Sequence, residues 1–219
     1  MGDPHSMTDV ERALSLLVHD IRTPLGVALG YLRLLRAGQL GGVEERDRAF
    51  ARTMQALGGI ADLCRSAESF LPGARASITT LVSTAELVER VTAAVRVRGV
   101  ALSWTAPDRT VRVAVGTSAE ALATAIGLVL CGAPTKARFG VETIQVETRP
   151  GELHFLSALV HQLPALVGGV PTPFNPWLGH GLEVAAACQT IARVGGRVYT
   201  TGGALGARAV VLPLEMPAL

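Results

Sequence analysis

Apolar residues recur at helical spacing through the first part of the chain, and this pattern limits the fold more than any other feature. Separations of three and four residues place one continuous stripe on one face of a helix. The stripe consists of Leu14, Leu17, Val18, Ile21, Leu25, Ala28, Leu32 and Leu35. Thr8-Asp9-Val10-Glu11 has the form of a capping box and Gly38 is a plausible stop, so the first helix is predicted to run from this box to about Leu35.

A group of polar residues lies beside this stripe. His19 falls next to the apolar face, where its imidazole can reach water, and Asp20 flanks the ring. Arg22 and Thr23 follow three and four residues after His19, so they share its face. Pro24 has no N–H and cannot donate to the carbonyl of Asp20. A helix that accepts this defect beside a histidine, a carboxylate and a hydroxyl is typical of a functional site.

Residues 19–25 resemble the H-box of two-component sensor histidine kinases, His-(Glu/Asp)-x-Arg-Thr-Pro-Leu, and every fixed position of the motif is present. The resemblance implies that His19 accepts the phosphoryl group, that Asp20 is its acid/base neighbour, and that Thr23 can orient water when a receiver is dephosphorylated. Neutral imidazole is a competent nucleophile near neutral pH. A lone histidine would more often be a solvated surface residue, but here seven residues match in order. Arg22 is equally consistent with stabilising phosphoryl charge and with a surface salt bridge.

A second helix is predicted after the turn at Gly41-Gly42, because the residues that follow the turn are rich in carboxylates and negative charge stabilises the start of a helix. Its apolar seam alternates steps of four and three through Phe50, Met54, Leu57, Ala61 and Cys64, and Ala67 could extend it by a further three. The two helices should form an antiparallel hairpin. Since one hairpin cannot bury both stripes, two copies are predicted to assemble as a four-helix bundle, and the resemblance implies the same homodimer.

The composition excludes several kinds of partner and compartment. Among 219 residues with a net charge of +2, the basic side chains are scattered and aromatic residues are few, so no nucleic-acid surface is expected. Cys64, Cys131 and Cys188 have no metal-ligand spacing, and no metal site is predicted. A reduced, cytoplasmic setting fits these thiols. No apolar run is long enough to cross a membrane, and no signal peptide is present.

Three segments are predicted. Residues 1–7 are interpreted as a vector-derived remnant with the native start at Met7, residues 8–72 as the hairpin, and residues 77–216 as an α/β sandwich, which makes the chain α+β. In the third segment helices are predicted from Ser83, Ser118 and Gly181, and a hairpin is predicted to turn at Pro150-Gly151. Strand-like runs at Val100–Thr105 and Val111–Val115 are joined by the turn residues Pro107-Asp108, and two further strands are predicted at Arg197–Thr201 and Ala207–Leu214.

This third segment resembles the ATP-binding domain of sensor kinases. The similarity lies in Gly179-His180-Gly181-Leu182 and in Gly195-Gly196-Arg197-Val198. In the family the first of these opens a helix at the ATP phosphates. A Gly-x-Gly alone is a weak signal, but its distance from the Gly-Gly pair and from the C-terminal strand strengthens it.

The nucleotide-binding positions depart from the family pattern. Where the family has Asn-Leu-Leu-x-Asn-Ala, this chain has Leu128-Val129-Leu130-Cys131-Gly132-Ala133, and its single asparagine is Asn175. No aspartate follows Asp108, so the Asp-x-Gly-x-Gly segment is absent as well. Because Mg²⁺ needs hard oxygen ligands and adenine needs a fixed acceptor, we expect no useful ATP binding and no cofactor. Gly179 and Gly181 are then vestigial.

The residues therefore predict a histidine phosphotransferase that resembles the bypass histidine phosphotransferases. His19 would exchange phosphoryl groups with the aspartate of a response-regulator receiver, which would supply Mg²⁺. Two alternatives remain: a divergent kinase that phosphorylates His19 from ATP, and a non-catalytic pseudokinase or receiver phosphatase that regulates its partner.

Overall fold

The computed structural model describes residues 7–71, 79–104, 109–114, 118–132, 143–158, 172–178, 180–201 and 207–214. The chain divides into two compact units, Met1–Ala74 and Arg75–Leu219. We call them the hairpin unit and the sheet unit.

The hairpin unit consists of α1 (Asp9–Arg36) and α2 (Val43–Glu68). The predicted capping box is present at the start of α1: the Thr8 side chain accepts from the Glu11 N–H, and the Glu11 carboxylate accepts from the Thr8 N–H at 2.7 Å. Pro24 lies inside α1, which continues on both sides of it. The two predicted helices are confirmed.

The seam buried inside the hairpin differs from the one predicted for α2. The buried positions of α2 are Ala49, Thr53, Ala56 and Leu63, at steps of four, three and seven. The predicted seam lies one residue later, and Phe50, Met54 and Leu57 are exposed. The helix therefore carries two adjacent stripes. Three of the four buried residues of the inner stripe, Ala49, Thr53 and Ala56, are small, whereas the large residues Phe50, Met54 and Leu57 lie on the outer stripe.

The sheet unit alternates strands and helices. Its elements are β1 (Thr79–Ser83), α3 (Thr84–Arg96), β2 (Ala101–Trp104), β3 (Thr110–Ala114), α4 (Ala119–Cys131), β4 (Thr143–Arg149), β5 (Glu152–Ala158), β6 (Thr172–Pro173), α5 (Leu182–Arg193), β7 (Arg197–Thr201) and β8 (Ala207–Pro213). Ser83 and Ser118 cap α3 and α4 through their side chains, as expected of serine at these positions. Neither β1 nor the two-residue strand β6 was predicted from the sequence.

The strands form a six-stranded sheet in the order β2-β4-β5-β8-β7-β6 and a two-stranded sheet of β1 and β3. Only β2 and β4 pair in parallel within the larger sheet. In the structure β2 pairs with β4, whereas β3 pairs with β1. The predicted turn at Pro107-Asp108 lies outside the described residues. The hairpin predicted at Pro150-Gly151 is confirmed, with Arg149 opposite Glu152.

The core lies between the larger sheet and the helices α3, α4 and α5. Residues opposite one another on neighbouring strands share a face, so Val146, Phe155 and Val210 form one buried row of the helix-covered face. Glu147, His154 and Val211 form the neighbouring row on the opposite face. The prediction of a helical hairpin followed by an α/β sandwich with a mixed sheet is confirmed, whereas the homodimer remains a prediction.

Gly195 and Gly196 connect α5 to β7 without room for a side chain. Gly195 has φ +75°, which L residues with a side chain rarely adopt. A Cβ on Gly196 would lie 2.6 Å from Ile191 Cγ2, 2.7 Å from Leu212 Cδ2 and 2.9 Å from the Ile191 carbonyl oxygen. The glycine pair therefore allows β8 and α5 to pack closely.

Across the described ranges, none of the helices combines the length and apolar character needed to span a lipid bilayer.

Candidate functional site

His19 lies on α1, five residues before Pro24, and its side chain is on an exposed face of the hairpin unit. Its side chain is 75 % exposed, whereas that of the adjacent Asp20 is only 12 % exposed. The ring is thus accessible to another protein, as its place beside the apolar stripe predicted. The carboxylate is held closer to the helix surface.

The two side chains form a hydrogen bond of 3.1 Å between His19 Nδ1 and Asp20 Oδ1. An ionised carboxylate only accepts hydrogen bonds, so this contact requires a proton on Nδ1. In the neutral ring the lone pair is then on Nε2, the more distal nitrogen. The pair therefore presents a nucleophilic nitrogen to solvent while its carboxylate holds the tautomer.

Arg22 and Thr23 are also exposed, and they lie one turn further along α1. Pro24 follows them within the helix and is partly buried. All four residues predicted as site residues thus belong to one helix and lie within five consecutive positions. Their chemical roles remain predictions.

The segments predicted to be vestiges of a nucleotide site lie in the sheet unit. Gly181 is the N-cap of α5, with φ +85° and no side-chain cap, while Gly179 lies outside the described residues. The α4 helix ends at Cys131, and its C-cap Gly132 donates to the Leu128 carbonyl at 2.8 Å. Leu128–Gly132 supply apolar side chains, a thiol and a glycine here.

Arg208 connects these two segments, and the sequence reasoning missed it. Only 3 % of this residue is exposed. Its Nη1 donates to the Val129 carbonyl at 2.6 Å, and its Nη2 donates to His180 Nδ1 at 3.3 Å. Its guanidinium carbon lies 4.9 Å from the centroid of the Phe174 ring, a cation–π distance. The signal in the sequence was its alternation with Val210 and Leu212, which points Arg208 to the covered face of β8.

Burial governs the ionisable groups around Arg208. Burial lowers the pKa of Arg208 itself, and it raises the pKa of Cys188 to about 12. Burial also raises the pKa of Cys131, against the opposing influence of Arg98. The two thiols are therefore protonated at neutral pH and are poor nucleophiles.

A second pair of histidine and carboxylate lies on the face of the larger sheet opposite the row of Val146, Phe155 and Val210. His154 Nε2 lies 2.9 Å from Glu152 Oε2, and the other oxygen of Glu152 accepts from Arg197. The His154 side chain is buried, and burial lowers its pKa. This pair was not predicted from the sequence. Its link to Arg197 depends on the pairing of the strands, which the sequence alone does not give.

Solved structures resemble most of the chain, across both units. The histidine kinase AdeS of Acinetobacter baumannii matches with a TM-score of 0.57 and 13% identity, over 90% of this chain and 98% of AdeS. The histidine kinase ThkA, solved in complex with the response regulator protein TrrA, matches with a TM-score of 0.58 and 16% identity, over 94% of this chain and 64% of that one. This chain has a histidine-kinase fold. No protein-family model and no curated protein sequence matches it.

Among the residues described, no group of three or more histidine, cysteine, aspartate or glutamate side chains could hold a metal ion.

Proposed function

We propose that this chain relays phosphoryl groups through His19, to and from the aspartates of receiver domains, without using ATP as the donor. The observation that carries the proposal is the His19–Asp20 pair. It combines an exposed ring, a carboxylate on Nδ1 at 3.1 Å and a lone pair on Nε2. The rest of the chain is consistent with this reading.

The chemical step follows from this pair. Nε2 of His19 attacks the phosphorus of an aspartyl phosphate, a P–N bond forms, and the bond between phosphorus and the aspartate oxygen breaks. The receiver carboxylate leaves with the electron pair. Positive charge develops on the imidazole, and Asp20 stabilises it or takes the Nδ1 proton. Transfer to a second receiver reverses these steps. The receiver supplies its own Mg²⁺.

Arg22 and Thr23 have supporting roles in the proposal. The guanidinium of Arg22 can bind phosphoryl oxygens as they pass to or from His19. The hydroxyl of Thr23 can hold a water molecule when the receiver is dephosphorylated instead. Both side chains are exposed on the turn that follows His19.

A homodimer is proposed because the hairpin unit leaves large apolar side chains exposed. Contiguous apolar surface of this kind marks an interaction site in soluble proteins. The exposed residues at helical spacing are Leu14, Val18, Leu25 and Leu32 on α1, and Phe50, Met54 and Leu57 on α2. A second copy of the same hairpin would cover both stripes in a four-helix bundle. We place the protein in the cytoplasm, where its three free cysteines would stay reduced.

Independence from ATP is proposed from the residues at the end of α4 and before α5. The asparagines and the aspartate that the resemblance would require are absent from the sequence. Arg208 contacts both segments instead. ThkA, which has a similar fold, was solved with a response regulator, and this supports a receiver as the partner of the present chain.

The decisive experiment mixes the chain with receivers carrying labelled aspartyl phosphate. We expect label on wild-type His19 and its onward passage to a second receiver, and none on His19→Ala. Loss of receiver phosphate without label on His19, and unchanged in His19→Ala, would replace the relay with the phosphatase or non-catalytic regulator.

A divergent kinase is the second candidate, and the histidine-kinase fold over 90% of the chain favours it. It requires that Mg²⁺·ATP bind and label His19 directly. Titration calorimetry with Mg²⁺·ATP separates the two candidates, because the relay predicts no binding heat. Saturable binding followed by ATP-dependent labelling would establish the kinase in place of the relay.

A further inference from the structure

The burial of the Arg208 guanidinium carries a free-energy cost for the folded chain. A guanidinium moved from water into a protein interior loses its hydration, and this penalty is offset only by well-placed hydrogen bonds and charges. The residue is nevertheless almost fully buried, on the same face of β8 as the core residues Val210 and Leu212. An alternating strand would ordinarily carry an apolar side chain at that position. The arginine therefore has a specific role there.

The first contact of Arg208 is with the end of α4. The last four carbonyls of a helix lack partners within the helix, and they form the negative end of its dipole. Val129 is one of these residues, and α4 has no basic residue in its own last turn. The 2.6 Å bond from Arg208 Nη1 to the Val129 carbonyl places a cation there from another element.

The second contact is with the segment before α5. Arginine has donors only, so His180 Nδ1 accepts from Arg208 Nη2 and its proton is on Nε2 when the ring is neutral. The rings of His180 and Phe174 are 4.7 Å apart at an angle of 33°, and the guanidinium lies over Phe174. The Phe174 N–H in turn donates to the Val198 carbonyl of β7 at 3.0 Å. The Arg208 side chain thus links β8, the strand that carries it, to the end of α4 and to the segment that precedes α5.

We propose that Arg208 acts as a built-in ligand of the sheet unit, holding the end of α4 and the start of α5 together with no bound molecule. This inference rests on the proposed function, since these are the two segments that the resemblance assigned to a nucleotide. In a protein that takes phosphoryl groups from receivers, an internal cation fixes both segments permanently. The sheet unit then has the same conformation whether or not nucleotide is present.

Hydrogen exchange of the full-length chain tests this assignment. In Arg208→Met, which keeps the length of the side chain but removes its donors and charge, amides in residues 128–132 and 181–187 should exchange roughly 10- to 100-fold faster. The β4–β5 hairpin should retain its protection. The matched control is Arg197→Met, on the neighbouring strand β7, where the arginine is exposed and pairs with Glu152. It should leave both segments at wild-type rates.

Chemical rescue gives a second readout if Arg208→Met proves too unstable. Arg208→Ala should leave space for a free guanidinium ion, so a low, non-denaturing concentration of guanidinium chloride should slow exchange in residues 128–132 and 181–187. The same concentration of sodium chloride should not. Wild-type exchange rates in both variants, or no difference between the two salts, would overturn the assignment.

The proposed function is tested separately in the same assay. Addition of Mg²⁺·ATP to the wild-type chain should leave exchange unchanged throughout the sheet unit. Protection of the two segments by nucleotide would contradict relay without ATP. Faster exchange in the Arg208 variants would then still establish the arginine as the connection between α4 and α5.

Discussion

Two histidine–carboxylate pairs in the described part of the chain have similar bond lengths and opposite surroundings. In the hairpin unit the ring of His19 is 75 % exposed and the side chain of Asp20 is 12 % exposed, with 3.1 Å between them. In the sheet unit the side chain of His154 is 10 % exposed and that of Glu152 is 32 % exposed, at 2.9 Å. The His19–Asp20 pair exposes its imidazole ring to solvent, whereas in the His154–Glu152 pair the carboxylate is the more exposed group.

This difference shows that a histidine bonded to a carboxylate is not by itself a reactive site. The carboxylate of Asp20 holds one nitrogen of His19 and leaves the other accessible. Glu152 is shared between His154 and Arg197, and the ring lies among strand side chains where a protein partner has little access. Access to the ring, more than the identity of its partner, is what separates the proposed phosphoryl-transfer site at His19 from the pair at His154.

The largest expected effect is the loss of phosphoryl acceptance in His19→Ala. Labelling from a phosphorylated receiver should disappear, because no other described histidine combines an exposed ring with a carboxylate on one nitrogen. His154→Ala should accept label at the wild-type level once it is shown to be folded by circular dichroism. Label on His154 in the His19→Ala protein would break the comparison.

Asp20→Asn should lower the rate of label transfer by about 10²–10⁴, since the amide can neither take the proton nor stabilise charge on the ring. Glu152→Gln is the matched change in the other pair, and its transfer rate should equal that of the wild type. Rapid mixing with a phosphorylated receiver measures both rates. Equal rates in Asp20→Asn and wild type would remove Asp20 from the mechanism.

Carbethoxylation should modify His19 at least about tenfold faster than His154, because reagent reaches a buried ring only after local opening. Peptide mapping by mass spectrometry gives both rates from a single reaction. His180, which is also buried, provides an internal reference for slow modification. Similar rates at His19 and His154 would mean that the sheet face is open in solution.

The smallest expected effect is on the pH dependence of stability. Burial lowers the pKa of folded His154, and Arg149 adds to this effect while Glu152 and Glu147 oppose it. The unfolded residue binds a proton as the pH falls below about 6.5, so unfolding becomes more favourable in that range. The free energy of unfolding should therefore fall less between pH 7 and pH 5 in His154→Gln than in wild type. Denaturant titrations at several pH values measure the two slopes, and parallel slopes would contradict the buried ring.

Local signals predicted most elements correctly. The capping box at Thr8 and Glu11, and the serines at positions 83 and 118, act through contacts within three residues and can be read directly from the sequence. The cluster of His19 with its neighbours was equally accessible, because it lies within one helical turn and a half. Strand pairing was not accessible, since β2 pairs with β4 across about forty residues of chain.

The inner seam of α2 and the role of Arg208 were not predicted, because both depend on contacts between residues far apart in the sequence. The inner seam of α2 contains small and polar residues such as Ala49 and Thr53, which carry a weaker periodic signal than the large residues of the outer stripe. In the sequence Arg208 is one charged residue within a strand, and its contacts with Val129 and His180 are evident only in the folded chain. Sequence periodicity indicates which face a side chain occupies, but it does not identify the partners.

The crowding around Gly196 has a consequence for comparing genomes. The glycine pair before β7 was one of the two sequence similarities to an ATP-binding domain, yet its surroundings show that close packing of Ile191 and Leu212 is enough to exclude any other residue. Close packing alone would retain this glycine pair in a chain of this fold, whether or not the chain binds nucleotide. Surveys that infer nucleotide use from glycine pairs in chains of this architecture would then overcount kinases, and the asparagine and aspartate positions are the more informative markers.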